Sequence, residues 1–223
     1  MFKLGWAHRL VNAGPVEEGG LVAHHREDVV RTALAVLDTH GLADLTMRRL
    51  AAELDVRPSA LYHHVPSKQV LLAAVADEVL RRGPRADLVG PPATWPARLV
   101  DVAGCLREAL LAYRDAAELV STVVAFGLGA DRPYADLVAV LDDAGLPDGL
   151  TPTAARTLLH FVLGHTLDEQ THLQAGAAGA IADAPRPGSD FAVGLGLVVD
   201  GIALRASVGR PGTSVRVEVD DRP

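Results

Sequence analysis

The segment LTMRRLAAELDVRPSALYHHVPSK, Leu45 to Lys68, concentrates side chains that could do chemistry. Arg48 and Lys68 are cations, Ser59 and Tyr62 carry hydroxyls, and His63-His64 is a histidine pair. Metal ligation and contact with a nucleic acid are both open to such a set. The histidine pair is poorly arranged for chelation, because adjacent residues on a helix point about 100° apart. A second set is His165, Glu169 and His172, spaced four and three residues apart on one helical face. That spacing could hold zinc; the competing reading is a polar cluster on a dimer face or a pocket rim. Cys105 is the one cysteine, so no internal disulfide can form and an intracellular setting is expected. No histidine lies near it in sequence, and its apolar surroundings make it a core thiol rather than a nucleophile.

The elements that must position these residues are helices. Val29, Val30, Ala33, Leu34 and Leu37 recur at helical spacing between Arg26 and His40, and Gly41 follows as a stop. Thr46 is placed to cap a short second helix with Leu50, Ala51 and Leu54 inward. Pro58 suits the first turn of a third helix, whose inward positions are Leu61 and Val65. Ser67 caps a fourth, running to about Arg82, with Val70, Leu71, Ala74, Val75 and Val79 facing inward.

Further helices are expected over about 95–113, on to about Phe126, over 134–143, from a Thr151 cap with Pro152 to about Gln174, and from Ser189 or Asp190 to about Ser207. A Pro/Gly-rich connection follows Gly83, and AGAAGAIADAPRPGS, 175–189, reads as a mobile loop. The fold class is therefore all-α. It comprises a three-helix helix-turn-helix domain over residues 26–82 and a larger helical domain over 83–206. Residues 1–25 read as a flexible arm and residues 207–223 as a disordered tail, although SVRVEV in that tail alternates like a strand.

Two short helices joined by a tight turn and preceded by a supporting helix form the helix-turn-helix layout. Its second helix buries one stripe and presents the other to a major groove. With Leu61 and Val65 buried, Ser59, Ala60, Tyr62 and His63 are left for the groove, flanked by Arg48 and Lys68. No Asn, Gln or Arg stands on that exposed face, so base reading would rest on Tyr, Ser and His with apolar contacts.

Charge distribution agrees with a split of roles. The net charge is −7, yet residues 1–82 hold ten basic and ten acidic residues, so the rest of the chain carries all of it. The 223 residues are 49% hydrophobic, 22% charged and only 4% aromatic, which suits a helical core of Leu, Val and Ala. No run of 18 apolar residues occurs, so no membrane span is expected and a cytoplasmic location is. No nucleophile–base pair or Gly-rich phosphate loop is evident; no catalytic residue, no bound metal and no cofactor is expected.

The stretch LTMRRLAAELDVRPSALYHHVPSKQVLLAAVADEVL resembles the DNA-binding domain of the TetR family of transcriptional repressors. The resemblance rests on Leu61, Tyr62, His64, Val65, Lys68, Leu71 and Leu72 in the pattern x-L-Y-x-H-V-x-x-K-x-x-L-L. LREALLAYRDAAELV and LLHFVLGHTLDEQTHLQAG resemble the core and dimer helices of the tetracycline-repressor subfamily, extending the likeness to most of residues 26–206. It implies an all-helical homodimer, paired through helices over 152–174 and 190–206, that binds double-stranded operator DNA and is released by a small-molecule effector.

By position, the resemblance implies DNA contacts from Thr46, Arg48, Pro58, Ser59, Ala60, Tyr62, His63, His64 and Lys68. It implies an effector cavity lined by Val102, Leu106, Val120, Val124, Phe126, Phe161 and His165. Tetracycline repressors hold the drug's magnesium through a histidine, where this chain has Val120, and through a water-mediated link from a glutamate, where it has Asp168. Their drug-gripping polar residues align with Pro84 and Val102. A valine cannot ligate metal, so a mainly apolar effector other than tetracycline is expected. The alternative is a small helical metal-binding protein or enzyme using His165, Glu169 and His172, with a degenerate helix-turn-helix.

Overall fold

A computed structural model describes residues 25–86, 94–182 and 188–208. Among these residues every regular element is an α-helix: α1 (Arg26–His40), α2 (Met47–Glu53), α3 (Pro58–Leu61), α4 (Lys68–Arg82), α5 (Trp95–Leu111), α6 (Ala116–Ala125), α7 (Arg132–Asp142), α8 (Leu150–Ala177) and α9 (Phe191–Val208). The arm and the tail expected from sequence, with its alternating SVRVEV, fall outside the described residues except at their inner edges.

The local chemistry of the first four helices follows from their caps. Gly41, at φ 84°, ends α1 and its N–H donates to Leu37 O at 2.8 Å. Thr46 starts α2 by accepting from the Arg49 N–H at 3.1 Å, and Ser67 starts α4 by accepting from the Val70 N–H at 3.2 Å. Between α2 and α3 the chain turns through Asp55 at φ 53°, a conformation that Asp tolerates better than most side chains. The α3 helix is only one turn long. After Leu61 the chain continues as turns over residues 62–64, with the Val65 N–H still donating to Leu61 O at 2.9 Å, and Pro66, which disfavours a helical residue before it, bars further extension.

Leu37, Leu45, Leu50, Leu61, Val65 and Leu71 are buried together and fix the angle between α2 and α3. Val70, expected inward, is exposed, because it lies in the first turn of α4, before the helix reaches the core. At the other end of α4, Glu78 accepts from Arg81 at 2.6 and 2.7 Å and from Arg82 at 2.6 Å. The Arg81 guanidinium, seconded by that of Arg82, holds the Glu78 pKa down at about 2. Because the folded pKa lies below the unfolded one, this contribution to stability is present above about pH 4.5 and is lost as pH falls toward 2. Denaturant titrations at pH 7 and pH 3 should therefore show a smaller acid loss for Glu78→Gln than for the wild type. Equal losses would show that the pair adds nothing.

Helices α5 to α8 form the larger bundle, with Leu99, Leu110, Leu119, Leu137, Leu158 and Leu159 at its centre. Helix α8 begins at Leu150 behind Gly149, at φ 75°, rather than at a Thr151 cap. It also runs through Ala175, Gly176 and Ala177, which the sequence suggested were loop. Helix α7 starts at Arg132, with Pro133 in its first turn, earlier than expected. Asp190 caps α9, accepting from the Val193 N–H at 3.0 Å.

Helix α9 leans on the bundle through Leu195, Val199, Ile202 and Ala206. It touches α8 so closely at Gly194 that a Cβ there would sit 2.8 Å from Phe161. Its other face leaves Val193, Leu197 and Leu204 exposed. No described helix is long and apolar enough to cross a membrane.

Candidate functional site

The helix-turn-helix frame leaves one face bare. Thr46, Arg48, Pro58, Ser59, Tyr62, His63 and Lys68 are exposed, while Ala60 and His64 are half-buried. Tyr62 follows the single turn of α3 and keeps 50% of its surface in solvent. Lys68 is the first residue of α4, where backbone N–H groups also point outward. Thr46 is also exposed, but its hydroxyl is already engaged as the α2 cap.

Not all the basic side chains here are available. Arg49 donates to Glu53 at 2.8 Å and to His40 Nε2 at 2.6 Å, which bolts α2 to the end of α1. Among the described residues, Arg48, Arg57 and Lys68 enter no ion pair. Arg57 was missed in the sequence. It stands exposed at the mouth of α3, immediately before Pro58, and its signal was its place beside the N-terminal proline of that helix. Three exposed cations without ion pairs, on the same helix-turn-helix as an exposed tyrosine, suit a polyanion.

The larger bundle contains a shallow cleft between α4, α5 and α7, lined by Leu80, Pro84, Val102, Cys105, Leu106 and Pro133 among others. Its cavity volume is about 20 Å³. That is room for about one water molecule and far below the ~300 Å³ of a small-molecule site. The expected cavity residues divide. Val102 and Leu106 line the cleft. Val120 is fully buried in α6, and Val124 is half-buried. Phe126, after α6, is 68% exposed.

Phe161 and His165 gather instead around Phe191 at the start of α9, with ring centroids 5.7 and 5.3 Å from it. Cys105 stands half-buried in the cleft wall rather than in the core, and burial pushes its thiol pKa up, away from a reactive thiolate.

The metal alternative loses its carboxylate. Arg107 donates to Glu169 through Nε at 2.8 Å and through a second nitrogen, while also lying 5.1 Å over the Phe191 ring. Among the described residues no group of three or more His, Cys, Asp or Glu is placed to hold a metal ion.

Polar contacts tie helices α1 and α4 and the α1–α2 turn to the larger bundle. The Leu42 N–H donates to Asp115 Oδ2 at 2.8 Å, and the Arg114 N–H donates to Asp38 Oδ1 at 3.2 Å. Asp115 adopts φ 54° to make this clasp at the N-terminal end of α6. Beyond its other end, the Ala130 N–H donates to Asp77 Oδ1 at 3.0 Å and Arg132 donates to Leu80 O at 2.7 Å. Helix α6 is thus fastened at one end to the α1–α2 turn and at the other to α4.

Comparison with known proteins agrees with this arrangement. The model for bacterial regulatory proteins of the tetR family matches residues 29–75, and that for the tetracyclin repressor-like C-terminal domain matches residues 90–185. The tetracycline repressor protein class A from transposon 1721 of Escherichia coli is 33% identical over 211 residues, covering 82% of this chain and 92% of its own length. The crystal structure of Mycobacterium smegmatis BioQ is 44% identical, with a TM-score of 0.75, covering 82% of this chain and 99% of that one. BioQ has also been solved with its natural double-stranded DNA operator; that chain is 43% identical, with a TM-score of 0.70, covering 81% of this chain and 98% of its own. A TetR variant from Acinetobacter baumannii solved with minocycline is 27% identical, with a TM-score of 0.67, covering 84% of this chain and 98% of its own. With the helix-turn-helix frame, the larger helical bundle and these relatives in agreement, the chain belongs to the TetR family of bacterial regulatory proteins.

Proposed function

We propose that this protein is an effector-responsive transcriptional repressor that binds a palindromic operator as a homodimer. The observation that carries the reading is the bare face of the helix-turn-helix, where Tyr62, Ser59 and His63 stand among the uncompensated cations Arg48, Arg57 and Lys68. The BioQ–operator complex supports this use of the face, and the minocycline complex supports a small-molecule site in the larger bundle. Two copies would pair through α8 and α9, burying Val193, Leu197 and Leu204, and set their α3 helices about 34–36 Å apart in successive major grooves. The acidic larger bundle keeps the remainder of the dimer off the phosphates.

The effector enters as an apolar body. The cleft is small as it stands, so binding requires it to widen. Widening between α5 and α7 strains the fastenings of α6 and thereby the angle of α1–α4. An effector that binds the widened form better than the closed one lowers operator affinity by that difference. No catalytic role enters this reading.

Footprinting at low salt on the DNA upstream of the protein's own gene tests it. The expected result is a protected palindrome that fades when salt is raised, since most of the affinity comes from phosphate contacts. No protection at low salt would sink the repressor reading.

A further inference from the structure

Buried side-chain nitrogens and oxygens are hydrogen-bonded with two exceptions among the described residues. Gln170 of α8 shows the rule. Its side-chain oxygen accepts from the Ala117 N–H at 3.1 Å, and its nitrogen donates to Leu110 O at 3.1 Å and Tyr113 O at 2.9 Å. The exceptions are Thr166 Oγ1 and Ser121 Oγ, each shielded from solvent and without a hydrogen-bond partner. Thr166 is fully buried. On the same helix, Thr157 donates to Thr153 O at 2.9 Å and Thr171 donates to Leu167 O at 2.8 Å. Thr166 forgoes that ordinary outlet.

The two hydroxyls stand on helices joined by the Ala117–Gln170 hydrogen bond, each four residues from it. Helix α6 starts beside Gln170, through Ala117. Past its end the chain leads into α7, whose Tyr134 ring lies 4.4 Å from the guanidinium of Arg156, near the start of α8. The α6 and α8 helices therefore run antiparallel. Ser121 is one turn after Ala117, and Thr166 is one turn before Gln170, so they keep the facing positions of that contact. Leu106, one turn before Leu110 on α5, brings the cleft wall to the same level. The adjoining positions are Val120, Val123, Val162 and Leu163, all buried.

An unpaired buried hydroxyl is unfavourable, and neither of these two meets a partner among the described residues. We infer that Ser121 and Thr166 are the hydrogen-bonding points of the effector site, and that the effector carries an uncharged oxygen, a carbonyl or hydroxyl, on an apolar body. An uncharged group suits the anchored end better than an ion, which would lose its hydration among the buried Val120, Val123 and Val162. This inference rests on the effector-responsive reading and gives its ligand a chemical class.

Thermal unfolding of the full chain, as wild type and as the Ser121→Ala/Thr166→Val double variant, tests it with matched probes: 1-tetralone against tetralin, and 2-decanone against decane. Without a probe, the double variant should melt about 4–8 °C higher, having lost two unsatisfied groups. A ketone should raise the wild-type Tm more than its hydrocarbon does. That excess should vanish in the double variant, corresponding to about tenfold weaker ketone binding. A lower Tm for the unliganded double variant overturns the inference, as does a wild type with no ketone excess or a double variant that keeps it. Operator footprinting of the same wild-type sample separates the two levels: protection without a ketone effect removes this inference and leaves the repressor reading standing.

Discussion

Replacing Leu197 and Leu204 together by aspartate is expected to yield a folded monomer that no longer protects operator DNA. The two side chains are 72% and 65% exposed, and Val193, one turn earlier on the same face, is 60% exposed. A helix that leaves such a stripe bare is completed by a partner. Burying a leucine contributes roughly 1.5–3 kcal/mol, and a twofold interface holds two copies of each, so losing all four weakens self-association by at least about 10⁴-fold. The inner face of α9 is untouched, because Leu195, Val199, Ile202 and Ala206 keep their contacts. Sedimentation should therefore show a monomer whose circular dichroism matches the wild type. Operator affinity should fall by about 10²–10⁴-fold, since two linked reading heads have become independent. A variant that stays dimeric would place the interface elsewhere.

The second large effect is expected at the DNA face. Tyr62→Ala should weaken operator binding about 10- to 100-fold while leaving thermal stability nearly unchanged. The ring is half in solvent, and the core beneath it is made by Leu61 and Val65. Lys68→Ala should act differently. It removes one phosphate contact per subunit, so the slope of log K against log salt should become shallower by about 0.9 for each, or roughly 2 for the dimer, across related and unrelated sequences alike. Arg49→Ala serves as the contrast. Arg49 is engaged by Glu53 and His40, so its loss should lower stability while leaving the salt slope nearly unchanged. Salt titrations by fluorescence anisotropy distinguish the three. Equal slopes for Lys68→Ala and wild type would show that this lysine meets no phosphate.

The frame of the DNA face was legible because local rules agree there. Thr46, Ser67 and Gly41 act as the caps their types suggest, and α1 spans Arg26–His40 as the apolar spacing predicts. Boundaries failed where glycine or proline had two uses. Gly149 could end a loop or admit a helix, and the left-handed backbone it adopts let α8 begin before Thr151. Pro66 acts on the residue before it, so α3 is shorter than its inward pair Leu61 and Val65 implied.

Pairing was also invisible in one dimension. Nothing local distinguishes Arg48 from Arg49, yet one is exposed without an ion pair and the other is consumed by its neighbours. Likewise, the metal-like spacing of His165, Glu169 and His172 gave no hint that Arg107, 62 residues away in sequence from Glu169, holds that carboxylate. The orphaned hydroxyls of Ser121 and Thr166 depend on how α6 and α8 face each other, which no helical periodicity reveals.

The most direct test of the central claim varies the distance between operator half-sites. Once the palindrome is known, DNA duplexes that carry it with zero, five or ten base pairs inserted at its centre are titrated with the protein. Two reading heads fixed by one dimer interface predict tight binding only at the native spacing. Five inserted pairs rotate the second half-site by about half a turn and should cost most of the affinity, and ten restore its face but not its distance. Equal affinity for all three duplexes would contradict the account, because each head would then bind on its own.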